Sequence, residues 1–203
     1  MNTTRVCKTL SILSTAFAVV GFITIGSPAA LAQNVFSVNY FSNANTPGLP
    51  DATLRIDNPG VAYTKVCAMT YVFDADQQLS ECCGCVETPD GLRTLSVNND
   101  LTSNPLTGVK STNGVIKIVS APFLPPDPCD PAGPYIAFAH LQAWMTHIFP
   151  TVTAENAGNL HTTETEFSPS PLGATELAAL QSQCLFIHVL GSGHGICTCG
   201  TGD

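Results

Sequence analysis

VCAMTYVFDADQQLSECCGC, residues 66–85, holds the clearest strand of the chain, a turn and four cysteines. In residues 66–74 the side chains alternate between two faces, and both faces are largely apolar. A period of two with two apolar faces is typical of a strand that is covered on both sides. We therefore predict a central strand at 66–74, followed by a loop that carries Cys82, Cys83 and Cys85.

Shorter segments on both sides of this strand repeat the alternating pattern. Turn signals such as Asn58-Pro59-Gly60 and Thr88-Pro89-Asp90-Gly91 separate them. Residues 135–149 are apolar for longer and are predicted to form one long bent strand. Many short strands separated by turns favour an antiparallel sandwich, immunoglobulin-like in style. The predicted strands are residues 35–41, 52–57, 66–74, 92–97, 115–119, 135–149 and 160–167.

One helix is predicted at residues 174–190. Gly173 stands at its N-cap, Glu176 completes a weak capping box, and Gly191 follows its last residue. Apolar side chains recur every three or four residues, which is typical of a helix that buries one face. We expect this helix to pack across one end or one face of the sandwich. The stripe consists of Leu177, Leu180, Cys184, Ile187 and Leu190.

Residues 1–32 are predicted to be a secretory signal peptide. Arg5 and Lys8 precede an apolar run at 10–25, and Ala-Leu-Ala at 30–32 has the small-x-small pattern of a cleavage site. The apolar run is shorter than the roughly 20 residues that span a bilayer. We therefore expect residues 33–203 to form one β-sandwich domain with the C-terminal helix and a cysteine-rich tail. The expected location is secreted, periplasmic or cell-surface, with no membrane span after cleavage.

The charge of the chain restricts its partners. The formal net charge is −8. Without Arg5 and Lys8, five basic residues face fifteen acidic ones, a charge of about −10. No basic cluster remains to attract phosphate groups, so nucleic acid is not an expected partner. The expected partners are an extracellular or envelope protein, a glycan, or a second copy of the chain.

Eight of the nine cysteines lie beyond the predicted signal peptide. An even number in an exported chain indicates disulfides. Adjacent cysteines seldom bridge each other, so the cluster at 82–85 is expected to bond to the cluster at 197–199. Each bridge would stabilise the fold by about 3–5 kcal/mol in the chain-entropy account. The predicted disulfide residues are Cys67, Cys82, Cys83, Cys85, Cys129, Cys184, Cys197 and Cys199.

A metal site is the alternative for part of this set. Cys184 and His188 are four residues apart on the predicted helix and project from one face. Thiolate and imidazole are ligands that zinc and copper accept. The main prediction needs no cofactor, whereas this alternative needs zinc or copper. The candidate ligands are Cys184, His188, His194, Cys197 and Cys199.

Several long, cysteine-rich motifs resemble a family of secreted bacterial proteins, of the kind found in acidobacteria. The motifs are CAMTYVFDADQQLSECCGC, TPDGLRTLSVNNDLTSNPLTG, GVIKIV, TETEFSPSPLGATELAALQ and the terminal CTCGTGD. The resemblance covers most of residues 33–203. It implies export and a shared cysteine framework, and it transfers no catalytic residue.

Three functions are compatible with the sequence. The first is a secreted or cell-surface structural or binding module without catalytic activity, which could assemble when residues 35–41 add to a neighbour's sheet edge. The second is an extracellular metal-binding or redox protein that uses the C-terminal cysteines and histidines. The third is a hydrolase whose catalytic residues come together only in space. The Ser/Thr/Asn/Pro-rich loops favour the first, because such loops commonly present binding groups on a rigid scaffold.

Overall fold

Two antiparallel sheets, one α-helix and a short π-helix at Val97–Leu101 form in the part of the chain that the computed structural model describes, residues 36–60, 64–125, 129–138, 141–150 and 159–200. The predicted signal peptide lies outside these residues. The strands are Phe36–Phe41 (β1), Thr53–Asp57 (β2), Val66–Asp74 (β3), Leu79–Glu87 (β4), Leu92–Ser96 (β5), Gly114–Pro122 (β6), Gln142–Pro150 (β7), Leu160–Glu166 (β8) and Ser168–Ser170 (β9), and the helix is Ala174–Leu190 (α1). One sheet has the order β4-β3-β6-β1-β9, and the other has the order β5-β2-β7-β8.

The prediction of a doubly covered strand at 66–74 is confirmed by β3. Every residue from Val66 to Val72 is buried. One face of β3 contributes Ala68 and Val72 to a core that also holds Leu54 and Met145 of the four-stranded sheet. This core therefore joins the two sheets face to face, as in a β-sandwich.

The other face of β3 belongs to a second core beneath α1. Met69 and Tyr71 of β3 lie in the same buried cluster as Leu180 and Ile187 of α1. The helix thus covers the outer face of the five-stranded sheet, and the molecule has three layers. The predicted bounds 174–190 are confirmed, and so is the packing of the helix on one face. The mainly β class is also confirmed, while the immunoglobulin-like assignment stays a prediction.

The prediction of a loop at Cys82, Cys83 and Cys85 is wrong, because these residues lie in β4. β4 pairs with β3 along its whole length, from Leu79 to Glu87, after a turn at residues 75–78. Alternating apolar side chains did not reveal this strand, because its inward positions hold cysteine and glutamate. Cysteine in a disulfide packs as a small apolar residue, which lets the strand form.

The prediction of one bent strand over 135–149 is wrong in its first part. Among the described residues of this segment, 135–138 form no strand, whereas Gln142–Pro150 forms a strand of the four-stranded sheet. Tyr135 instead packs under α1, where its hydroxyl is 2.7 Å from that of Tyr71. The Tyr71 hydroxyl also donates to the carbonyl of Pro131, 2.7 Å away. Burial raises the pKa of Tyr135 to about 12, so both phenols stay neutral.

Both lateral neighbours of β1 belong to its own chain. β1 pairs antiparallel with β6 and also with the short β9, which the sequence did not predict. Addition of this strand to another copy would therefore require it to leave its own sheet. No helix in the described residues is long and apolar enough to cross a membrane.

The close contact between the backbone of Cys129 and Gly84 of β4 can be tested by substitution. A Cβ at this position would stand 1.8 Å from the carbonyl oxygen of Cys129. We expect Gly84→Ala to lower the free energy of unfolding by about 1–3 kcal/mol, because the backbone must move to accept the methyl group. Gly173→Ala is the control, since nothing lies within 4 Å of its added Cβ and alanine at this N-cap costs only about 0.5–1 kcal/mol. Equal denaturation midpoints for the two variants would contradict this packing.

Candidate functional site

Disulfides bind the C-terminal tail and α1 to β4. Cys83 bonds to Cys197 and Cys85 to Cys199, each across 114 residues of sequence. Cys82 bonds to Cys184 of α1. The remaining pair, Cys67 and Cys129, holds the segment after β6 against β3. The predicted joining of the two cysteine clusters is what the structure shows, and all eight cysteines beyond residue 32 lie in pairs.

The tail also covers the free edge of β4. The amide of Cys82 donates to the carbonyl of Gly195 at 2.9 Å, and the amide of Cys197 donates to the carbonyl of Cys82 at 3.3 Å. Arg93 reinforces the contact, because its guanidinium donates to the carbonyl of Cys199 at 2.6 Å. The same guanidinium pairs with the buried Glu87 at 2.7 Å. Covering an edge strand in this way removes a site of unwanted strand pairing.

Two of the five candidate metal ligands come together with a residue that the sequence did not suggest. His188 Nε2 lies 3.6 Å from Cys184 Sγ and 3.9 Å from Cys82 Sγ. The Nδ1 atom of the same ring is 4.0 Å from a carboxylate oxygen of Asp130. Cys82 is 102 residues from Cys184 in the sequence. Only the packing of α1 beside β4 therefore shows that Cys82 belongs to this cluster.

The other three candidate ligands lie elsewhere. His194 Nδ1 is 3.1 Å from the side-chain oxygen of Asn104. Cys197 and Cys199 are bonded to β4 in separate disulfides. The sulfurs of Cys83, Cys85 and Cys199 lie within 4.8 Å of one another, but no histidine or carboxylate belongs to that group. The five predicted ligands therefore do not form one site.

A buried carboxyl group lies beside the cysteines of β4. Glu81 is fully buried, and its Oε1 accepts a hydrogen bond from the backbone amide of Asn104 at 2.9 Å. Its Oε2 has no hydrogen-bond partner among the residues that the structure describes. Burial raises the pKa of Glu81 to about 8, although the Asn104 amide and the charge of Lys110 act in the opposite direction. The carboxyl group is therefore protonated at neutral pH.

Glu81 should make the fold less stable as the pH rises. The unfolded chain releases this proton near pH 4.5, whereas the folded chain keeps it up to about pH 8. The unfolded state is therefore stabilised relative to the folded state as the pH rises through that window, and the free energy of unfolding falls. We expect Glu81→Gln to remove this slope and to raise the free energy of unfolding at pH 8 by about 2 kcal/mol.

The measurement is urea unfolding at a series of pH values from 4.5 to 8.5. Glu166→Gln is the control, because Glu166 is exposed. A Glu81→Gln protein with the same pH slope as the wild type would show that the buried carboxyl does not carry the effect.

His147 is the buried histidine most relevant to a hydrolase. Only 1% of its surface is exposed, and burial lowers its pKa, so the ring is neutral at pH 7. Its Nε2 is 2.7 Å from the hydroxyl of Thr165, and its ring stacks on Tyr40 at 4.4 Å. In the described part of the chain, no histidine ring is hydrogen-bonded to a serine hydroxyl. His147 is thus packed between the sheets, and its Nδ1 atom is buried without a hydrogen-bond partner among the described residues.

The outer face of α1 is apolar and exposed. Leu185, Phe186, Val189 and Leu190 have 51%, 55%, 68% and 62% of their surfaces accessible to solvent. Leu190 was predicted to belong to the buried stripe, but only Leu180, Cys184 and Ile187 of the helix are buried. The helix is therefore apolar on two sides, of which one covers the sheet and the other faces solvent.

A second exposed feature lies on the opposite side of the molecule, on the outer face of the four-stranded sheet. Trp144, the single tryptophan of the chain, is half-buried there. Its direct neighbours on the adjacent strands are Arg55 and Glu166. Trp144 lies in the apolar segment 135–149 of the sequence, and the alternation of side chains along residues 142–146 places it on the solvent face of the strand.

The chain matches no protein-family model, no curated protein and no solved structure. The relation to secreted cysteine-rich bacterial proteins therefore stays a prediction from the motifs. A fold alone does not define a function, so the function must be inferred from the two exposed faces and the cysteine–histidine cluster.

Proposed function

We propose that the protein is a secreted or cell-surface binding module that acts without catalytic chemistry. The observation that carries this proposal is the outer face of α1. The Cys82–Cys184 disulfide and the packing of Leu180 and Ile187 against β3 hold that helix on the sheet. A rigid scaffold that presents an uncovered apolar face is suited to binding, because little ordering is needed when the partner docks.

The exposure of α1 is unusual for a protein that works alone. Helices that are apolar on every side are normally covered on every side. Here the inner residues contact the five-stranded sheet, while Leu185, Phe186, Val189 and Leu190 face solvent. Contiguous exposed apolar groups of this kind mark interaction sites on soluble proteins.

We infer that the partner on α1 is a second copy of the chain. Leu185–Val189 and Phe186–Leu190 are two ridges at four-residue spacing, which is the pattern that interdigitates when two helices cross. After Glu176 the helix contains no aspartate, glutamate, lysine or arginine. Two acidic chains can therefore meet here without bringing like charges into contact. Pairing through β1 is less favourable, because that strand is already paired on both sides.

Replacing apolar residues on α1 should abolish this pairing. We expect the wild-type protein to be a dimer in sedimentation velocity at micromolar concentration. The double variant Phe186→Ser, Val189→Ser should weaken the dimer at least about tenfold, because it removes the centre of the apolar face. Its folding should persist, since both side chains are exposed.

Val109→Ser is the matched control for this experiment. Val109 is 71% exposed and lies in the segment before β6, outside α1. A wild-type protein that sediments as a monomer up to about 100 µM would refute the pairing. A dimer that survives the double variant would refute the role of α1.

The cluster of Cys82, Cys184 and His188 supports a second candidate function, reversible metal binding. Reduction of the Cys82–Cys184 bond by an external thiol would take two electrons and two protons and leave two thiols. On deprotonation these would offer zinc or copper(I) two thiolates beside His188 Nε2. Asp130 lies near Nδ1 of the same ring, where a carboxylate orients a metal-binding histidine.

This second candidate predicts zinc binding by the reduced protein alone. After mild reduction, the protein should take zinc from a chromophoric chelator, and His188→Ala should weaken that uptake at least about tenfold. His194→Ala is the control, because His194 contacts Asn104 instead. Intact mass after denaturing alkylation reports how many thiols are free. Zinc uptake that is equal in the two variants would refute the site.

A further inference from the structure

The outer face of the four-stranded sheet surrounds one aromatic ring with hydrogen-bonding groups. Trp144 lies on β7, and its cross-strand neighbours are Arg55 on β2 and Glu166 on β8. Arg55 also forms an ion pair with Glu164 that passes over β7. The indole thus lies beside a guanidinium–carboxylate pair on the same face, with Glu166 as its other cross-strand neighbour.

The same residues line a shallow cavity. The depression is open to solvent and has a volume of about 360 Å³, at the lower end of the range for small-ligand sites. It is lined by Arg55, Asp57, Leu92, Trp144 and Glu164. Leu92 is 62% exposed and extends the apolar part of the cavity beyond the indole. The ion pair leaves both of its partners more than one-third exposed, so each can still reach a ligand.

We propose that this face binds a neutral glycan chain, with one pyranose ring stacked on Trp144. This proposal names the ligand of the binding module proposed above and rests on that function. A pyranose has C–H groups that form an apolar face and hydroxyl groups around its rim. The indole matches the first, and the polar rim of the cavity matches the second, since carboxylates accept and a guanidinium donates hydrogen bonds.

The charge of this face determines which glycan fits. Asp57, Glu164 and Glu166 outnumber Arg55, and the whole chain is strongly acidic. Polyuronates, sulfated polysaccharides and nucleic acids would therefore be repelled. A neutral sugar avoids that repulsion and uses the carboxylates as acceptors. An added peptide strand would instead need a free sheet edge, and Trp144 and Arg55 lie on the two inner strands.

The single tryptophan gives a direct measurement. Its fluorescence reports on the proposed site alone, because no other tryptophan is present. We would titrate the full protein with neutral hexaoses, namely cellohexaose, xylohexaose, laminarihexaose, mannohexaose and chitohexaose. At least one should change the emission saturably, with a Kd of roughly 0.1–1 mM, as expected for one stacked ring on an open surface.

Variants assign the binding to the cavity. By isothermal titration calorimetry, Trp144→Ala should weaken binding of the responding hexaose at least tenfold, and Trp144→Phe should weaken it less. Arg55→Ala should also weaken binding, and it leaves the indole in place if Trp144→Ala fails to fold. Phe186→Ala is the matched control, because Phe186 is a 55% exposed aromatic residue on α1, on the opposite side of the molecule. That variant should bind as the wild type does.

The outcomes separate this inference from the pairing through α1. The Phe186→Ser, Val189→Ser variant should keep its hexaose affinity, and Trp144→Ala should keep the wild-type sedimentation. Saturable binding that Trp144→Ala and Arg55→Ala both weaken supports the glycan site, whatever the state of association. No response to any hexaose at 10 mM overturns it, as does binding that both variants leave unchanged. A preference for polygalacturonate over every neutral hexaose also overturns it.

Discussion

The burial of β3 on both faces is the constraint on which the rest of this structure depends. A strand whose seven consecutive residues, from Val66 to Val72, are all buried needs a layer on each side. The four-stranded sheet supplies one layer and α1 supplies the other. Two disulfides of β4, the edge strand beside β3, help to hold the neighbouring parts of the chain against this sheet. Cys82–Cys184 joins β4 to α1, and Cys83–Cys197 joins β4 to the tail.

The same arrangement leaves two outer faces with different chemistry. The helix turns Phe186 and Val189 outwards on one side, and β7 turns Trp144 outwards on the other. These faces lie on opposite sides of the three layers, so binding at one does not obstruct the other. A dimer through α1 would present two glycan-binding faces on its outside. Two weak sites that are joined rigidly can bind a repeating polymer far more tightly than either site alone.

The buried titratable side chains owe their shifted pKa values to packing. Glu81 is held neutral by burial, and His147 is held neutral at pH 7 for the same reason. Strongly shifted groups often mark active sites, but they also arise where packing encloses a polar side chain. Glu81 lies under the segment that contains Asn104, whose side chain also donates to the carbonyls of Gly193 and Ile196. Its burial therefore follows from how the tail is attached.

The sequence by itself determined the local elements of this protein. Period-two and helical patterns located β3 and α1 with their observed bounds, because each of these segments has a regular apolar face. The even cysteine count and the spacing of the two clusters were enough to predict that the tail is bonded to residues 82–85. The pattern failed for β4, where cysteine and glutamate replace the apolar residues that define a strand. It also failed for residues 135–138, where Tyr135 continues the apolar run but its hydroxyl makes a buried contact with Tyr71.

Only the tertiary structure decided which distant residues meet. Cys82 is the third member of the cluster that contains Cys184 and His188. The five candidate metal ligands do not lie together in one site. Local patterns also could not show that Phe186 and Val189 remain uncovered, since exposure depends on which side of the helix meets the sheet. Trp144 acquired Arg55 and Glu166 as neighbours through strand register. Register and layer order are properties of the assembled sheets, and for that reason no single segment of the chain contains them.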